Sequence, residues 1–265
     1  MKQPASTWAW RPALALLHRW VSLLAGLLLV LLGLTGSLMV WQAELDAALN
    51  PRWFEPRACT APARPVAEVM AALRQHAPVA RAALVVAPHT PGAAYQVWER
   101  RDPATGWRRE HFIDPACGEY LGSRARGAWR LDAAHAVPLL YELHTRLLGG
   151  DTGHAVVGAG ALVLLGLALS GLALAWPRRS SREAWRRALS VKAGAAPARW
   201  WLDLHRAAGL WMLPLLLLMT CTGAALVFND TARAAVSALL PVQGLPRLPR
   251  MAPPAGPASA TATAA

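Results

Sequence analysis

Three stretches of this chain are so apolar, over such a length, that a membrane-spanning helix is the only fold that satisfies them. They run from about Leu14 to Trp41, Ala155 to Trp176 and Leu210 to Phe228. A bilayer core needs about 20 apolar residues in helical form. Lipid offers no partner for backbone N–H and C=O groups, so such segments are helices rather than strands. With flanking residues the spans are placed at 14–41, 154–176 and 204–228. The first is too long for a signal-peptide core, and no convincing small-residue cleavage site follows it. It is expected to remain as an anchor.

Basic residues near the span ends set the expected orientation. Lys2, Arg11 and Arg19 belong to the N-terminal segment 1–13 and the start of the first span. The short segment 177–203 holds Arg178, Arg179, Arg182, Arg186, Arg187, Lys192 and Arg199. Both are expected on the cytoplasmic side of a bacterial inner membrane, which places the long segment 42–130 in the periplasm. The net charge of +12 could suggest a nucleic-acid partner. Much of it sits in the short basic loop, where anionic lipid headgroups are the simpler partner, so no nucleic acid is expected. Several Trp residues near the span ends, Trp20, Trp41, Trp176 and Trp211 among them, suit an interfacial belt.

Within the spans one phrase occurs twice. Leu17-His18-Arg19 opens the first span and Leu204-His205-Arg206 opens the third. Thr35-Gly36 stands 17 and 18 residues after His18, and Thr222-Gly223 stands 17 and 18 after His205. An aromatic, Trp41 or Phe228, closes each copy 23 residues after its His. Two parallel helices that each carry a His near the same end place two imidazoles at one depth. That arrangement can ligate a haem iron from both sides. Ionisable residues in or near a span are costly and more often functional than not.

The external segment is long enough for a small domain. Val66 to His76 has helical periodicity. Leu84-Val85-Val86, the alternation around Tyr95, Val97 and Trp98, and Trp107 to Ile113 read as strands separated by turn chemistry, with Tyr120-Leu121-Gly122 closing the unit. One helix with three or four strands is an α+β module. A juxtamembrane helix and turn over 131–153 follow, with His135 and His144 nine residues apart. The C-terminal tail 229–265 is expected to be mostly disordered, because beyond Pro241 it has almost no large apolar residues. Cys59 and Cys117 both fall in the external segment, where an oxidising compartment would let them form a disulfide. Cys221 lies in the third span and is read as packing. Glycines in the spans, such as Gly36, Gly158 and Gly223, are read as close-approach points, and Pro214 as a kink.

These pieces together resemble the PepSY-associated transmembrane family. The matching phrases are Leu17-His18-Arg19-Trp20 with Leu34-Thr35-Gly36, Leu143-His144 with Leu147-Leu148-Gly149, Gly153 and Gly158, Trp176-Pro177-Arg178-Arg179, and Leu204-His205-Arg206 with Gly209-Leu210-Trp211. Phe112-Ile113-Asp114-Pro115 with Gly118-Glu119 resembles the hairpin end of a PepSY domain. The resemblance covers roughly residues 14 to 240. It implies a membrane α-helical fold of three transmembrane helices, with a periplasmic α+β PepSY-like domain between the first and second. Some members of the family reduce ferric siderophores through b-type haems, which makes an electron carrier with one or two haems b the expected function. Longer members have a fourth helix and a second PepSY region.

On that reading His18 and His205 hold a haem near the cytoplasmic side, with Arg19 and Arg206 as candidate partners for its propionates. His144 with His154 would hold a second haem near the outside, and His135 is held in reserve. His76, His89 and His111 are expected at the surface of the soluble domain. No Cys-x-x-Cys, His-x-x-x-His or Gly-x-Gly-x-x-Gly phrase occurs, so the electron source would be a quinol or another membrane reductase. A homodimer is compatible with so small a bundle. The competing function is a non-enzymatic membrane module that binds a peptide or protein partner in envelope or metal homeostasis. A haem-bearing subunit of a larger complex is the third.

Overall fold

The computed structural model describes residues 9–55, 62–88 and 92–240. Its three longest helices are α1 (Arg11–Met39), α6 (Gly150–Ala175) and α8 (Pro197–Val227), and each is long and apolar enough to cross a membrane. Between α1 and α6 come α2 (Gln42–Leu49), α3 (Pro51–Phe54) and α4 (Val66–His76). Then follow strands β1 (Ala82–Val86), β2 (Tyr95–Glu99), β3 (Arg108–Ile113) and β4 (Tyr120–Arg126), and finally α5 (Ala133–Arg146). Helix α7 (Arg182–Ala188) lies between α6 and α8. Residues Asn229–Leu239 form α9, which starts a separate compact unit. The expectations for Cys59, His89 and the chain beyond Pro241 lie outside the described residues.

The spans run alternately up and down, and both α1 and α8 pack on α6. Small residues on α6 make this close. A Cβ at Gly158 would stand 2.6 Å from Val227 Cγ1 and 2.7 Å from the ring of Phe228. Without a hydrophobic drive between helices in lipid, such close backbone approach is what holds spans together. The guanidinium of Arg11 donates to the carbonyls of Ala173, Leu174 and Trp176, which satisfies the open C-terminal end of α6. Helix α8 continues through Pro214 as one helix. At the other end of α6 the chain leaves α5 through Leu147 and Leu148, both at positive φ (49° and 57°), before Gly149 and Gly150. Left-handed backbone at two successive leucines is costly for side-chain-bearing residues.

The four strands form an open antiparallel meander in the order β1-β2-β3-β4. Helix α4 covers one face, where Val69 and Leu73 pack with Val97 and Ile113. The other face is closed by α3, whose Trp53 stacks on Phe112 with ring centroids 4.1 Å apart and planes 3° from parallel. Both faces of β3 are therefore buried. This overturns the expected surface position of His111. Its ring is buried, with Nε2 2.7 Å from Glu99 Oε1 and Nδ1 3.0 Å from Tyr120 Oη.

An ion network ties this module to the end of the first span. Arg124 on β4 is buried opposite Glu110 on β3, with Nε 2.5 Å from Glu110 Oε2. Its two terminal nitrogens reach the Asp46 carboxylate of α2 at 2.7 and 2.6 Å. Asp46 follows α1 by less than two turns of helix. Burial opposes the charge on Arg124, but Asp46 and Glu110 more than offset this and hold its guanidinium above the ordinary Arg value.

Candidate functional site

The repeated phrase brings its two histidines together. His18 of α1 and His205 of α8 face each other with ring centroids 6.4 Å apart and planes 69° apart. Both line a cavity of about 600 Å³ between α1, α6 and α8. Apart from His18, His205, Ser22 and Arg206, its walls are Leu, Ala and Gly, among them Leu29, Leu167, Gly171 and Leu213. The volume falls within the range of small-molecule and cofactor pockets, roughly 300–1,000 Å³.

The spacing of the rings has a simple chemical meaning. A metal–imidazole bond is about 2 Å, and a ring nitrogen lies about 1.1 Å from its ring centre, so two axial imidazoles on one ion stand about 6 Å apart, centre to centre. The observed 6.4 Å matches that gap. The same separation lies within the roughly 4.5–7 Å of an edge-to-face ring contact, which is how the two rings meet here. The donor set also fits a porphyrin iron: two imidazoles lining one largely apolar cavity. Ligating histidines characteristically use the second ring nitrogen to hold a partner. His18 does so, with Nδ1 2.8 Å from Ser170 Oγ on α6.

The two arginines of the phrase diverge. Arg206 lines the cavity, but its guanidinium donates to the carbonyls of Ala188 and Arg187 and pairs with Asp203 Oδ1 at 3.0 Å. It thereby closes the end of α7 onto α8. Arg19 is exposed and lies over the ring of Trp20 at 5.9 Å, away from the cavity wall. Asp203 is buried and is held by Arg199 and Arg206. Ser170 and Asp203 escaped sequence reasoning. Neither sits in a motif, and only the packing of α6 and α7 against their neighbours reveals their roles.

At the opposite end of the bundle, His144 of α5 sits on the Thr35-Gly36 pair of α1. Its Nδ1 is 3.0 Å from Thr35 Oγ1, and a Cβ at Gly36 would stand 2.9 Å from its Cε1. Burial pushes the His144 imidazole below its ordinary pKa, partly opposed by the Leu32 carbonyl. His154 donates through Nδ1 to the Thr145 carbonyl at 3.0 Å. No ring contact joins His144 to His154 among the described residues. His135 is buried at the start of α5, with Nδ1 2.6 Å from Asp132 Oδ1 and Nε2 without a protein partner. Cys117 is disulfide-bonded, and Cys221 is free.

The order of these features along the chain agrees with a known family. The model of the PepSY-associated TM region matches residues 15–265. The chain belongs to that family. No curated protein matches it significantly. Membership accounts for the paired spans and the small sheet inserted between the first two. What the His18–His205 pair does is a matter of its chemistry.

Proposed function

We propose that this PepSY-associated protein is a b-haem electron carrier of the bacterial inner membrane, with His18 and His205 as the residues that would hold one haem. The observation that carries the reading is the 6.4 Å separation of two imidazoles across an apolar cavity. A haem held there supplies one-electron transfer, with a potential tuned by ligand identity, hydrogen bonding and burial. The chain's own residues do the rest. Leu29, Leu167 and Leu213 keep water out, which favours retention of an apolar ring system. Ser170 orients His18. Arg206, at the cavity wall, is ion-paired to Asp203 and fixes the end of α7 against α8.

His144, half-buried against α1, is proposed as a ligand of a second haem toward the periplasmic side, with His154 as its nearest candidate partner in sequence. On this reading electrons cross the membrane from a quinol or a membrane reductase to a periplasmic acceptor, for which a ferric siderophore is the family precedent. Reduction at a distance needs no catalytic acid or base, and the proposal assigns none.

The test is optical. The full chain, purified in detergent after expression with haem supply, is expected to give the sharp reduced α and Soret bands of six-coordinate b haem. His18→Ala and His205→Ala are each expected to remove the same haem. A colourless wild-type preparation would overturn the reading and favour a non-enzymatic module that binds a peptide or protein partner.

A further inference from the structure

Two imidazoles in this molecule each face a hydroxyl whose own proton is already committed. Ser170 Oγ donates to the Leu167 carbonyl of its own helix at 3.0 Å and lies 2.8 Å from His18 Nδ1. Thr35 Oγ1 donates to the carbonyls of Leu31 and Leu32 at 2.8 and 3.2 Å and lies 3.0 Å from His144 Nδ1. A hydroxyl has one proton and two lone pairs. Inside an apolar helix the carbonyl three or four residues back takes that proton. The oxygen then faces the histidine as an acceptor only, so the histidine must donate. A neutral imidazole that carries its proton on Nδ1 has its lone pair on Nε2.

His154 reaches the same state through a partner that can only accept, the Thr145 carbonyl. His205 differs. Among the described residues it makes no hydrogen bond through either ring nitrogen. Its ring is placed by packing and by His18 alone. The two halves of the cavity pair are thus unequal, one imidazole pinned in tautomer and plane, the other free to adjust.

We infer that Ser170 and Thr35 are positioning residues that fix the Nδ1–H tautomer of His18 and His144 and so present Nε2 as a metal-binding lone pair. The consequence for a bound haem rests on the electron-carrier reading; the tautomer does not. An acceptor on Nδ1–H raises the basicity of the ligating nitrogen. A more basic axial ligand favours the ferric state, so Ser170 holds the potential of this site down.

The experiment has two arms on the full chain in detergent. In the first, haem-free protein labelled with ¹⁵N-histidine is read by NMR at neutral pH. Both His18 and His144 are expected to show a protonated Nδ1 and a bare Nε2. Ser170→Ala shifts only His18 toward the Nε2–H form, Thr35→Val shifts only His144, and Ser170→Thr and Thr35→Ser restore the wild-type pattern. An Nε2–H tautomer in the wild type, or no change in either variant, overturns the inference. In the second arm, the midpoint potential of the haem-loaded fraction of Ser170→Ala is expected to move positive, with Ser170→Thr returning it. An unmoved potential overturns the role at the metal. A wild type with the Nδ1–H tautomer that takes up no haem retires the electron-carrier reading and leaves the tautomer assignment standing.

Discussion

Helices α1 and α8 carry the same phrase, yet the structure uses it fully in one and half in the other. The His at the start of each span is used alike, since His18 and His205 share one cavity. The Thr-Gly pair, 17 and 18 residues on, is not. In α1, Thr35 is buried and bonds His144, and Gly36 leaves room for that ring. In α8, Thr222 is exposed and bonds only the carbonyls of Leu218 and Met219, and a Cβ at Gly223 would meet nothing within 4 Å. A repeated motif thus fixes where a group sits on a helix. Whether it works depends on what the rest of the fold brings to it, and α5 packs on α1 at this point.

The largest expected effect concerns the half of the phrase that the two helices share. His18→Ala and His205→Ala should lose the same haem to the same extent, as measured by pyridine haemochrome content. Loss in one variant only would break the equivalence. The next effect separates the helices. Gly36→Ala must displace the His144 ring, and overpacking of this kind costs about 1–3 kcal/mol. Gly223→Ala has open space and gains helix propensity, for a change of about 1 kcal/mol or less in the stabilising direction. Thermal melting of the two variants in detergent tests the contrast, and equal shifts would refute it.

A smaller difference is expected from the hydroxyls. Thr35→Val leaves His144 Nδ1 without its partner, at a cost of about 1 kcal/mol. Thr222→Val, with no imidazole to serve, should melt with the wild type. The smallest effect is a dependence on pH. Burial holds the folded His144 pKa below its unfolded value near 6.5. The unfolded chain therefore binds more protons in that window, so stability is full above about pH 6.5 and falls as pH drops through the folded pKa. The loss of melting temperature between pH 7 and 5 should be shallower in His144→Asn than in the wild type. Parallel curves would show that His144 is not the group responsible.

The spans were legible in the sequence because long apolar runs have one physical solution in a bilayer. The sheet was legible because turn residues punctuate β-type runs. His18 and His205 stood out through repetition. The parts that were not legible depend on contacts between segments far apart in the chain. Arg124 and Asp46, 78 residues apart, look like ordinary surface charges until α2 is folded onto β4. His111 looked like a surface histidine because nothing in its own strand announces that α3 and α4 cover both faces. Ser170 is a single polar residue in an apolar helix, and its role appears only when His18 arrives from a span 152 residues away in sequence. Helices α2, α3 and α7 are too short to show a period.

The most direct measurement is the low-temperature EPR spectrum of the oxidised full chain. Two imidazoles on one ferric iron, with planes as far from parallel as the 69° found here, are expected to give a low-spin signal with a single large g value, lost in both His18→Ala and His205→Ala. A high-spin signal from a five-coordinate iron, or a low-spin signal that survives removal of either histidine, would contradict a haem held between these two spans.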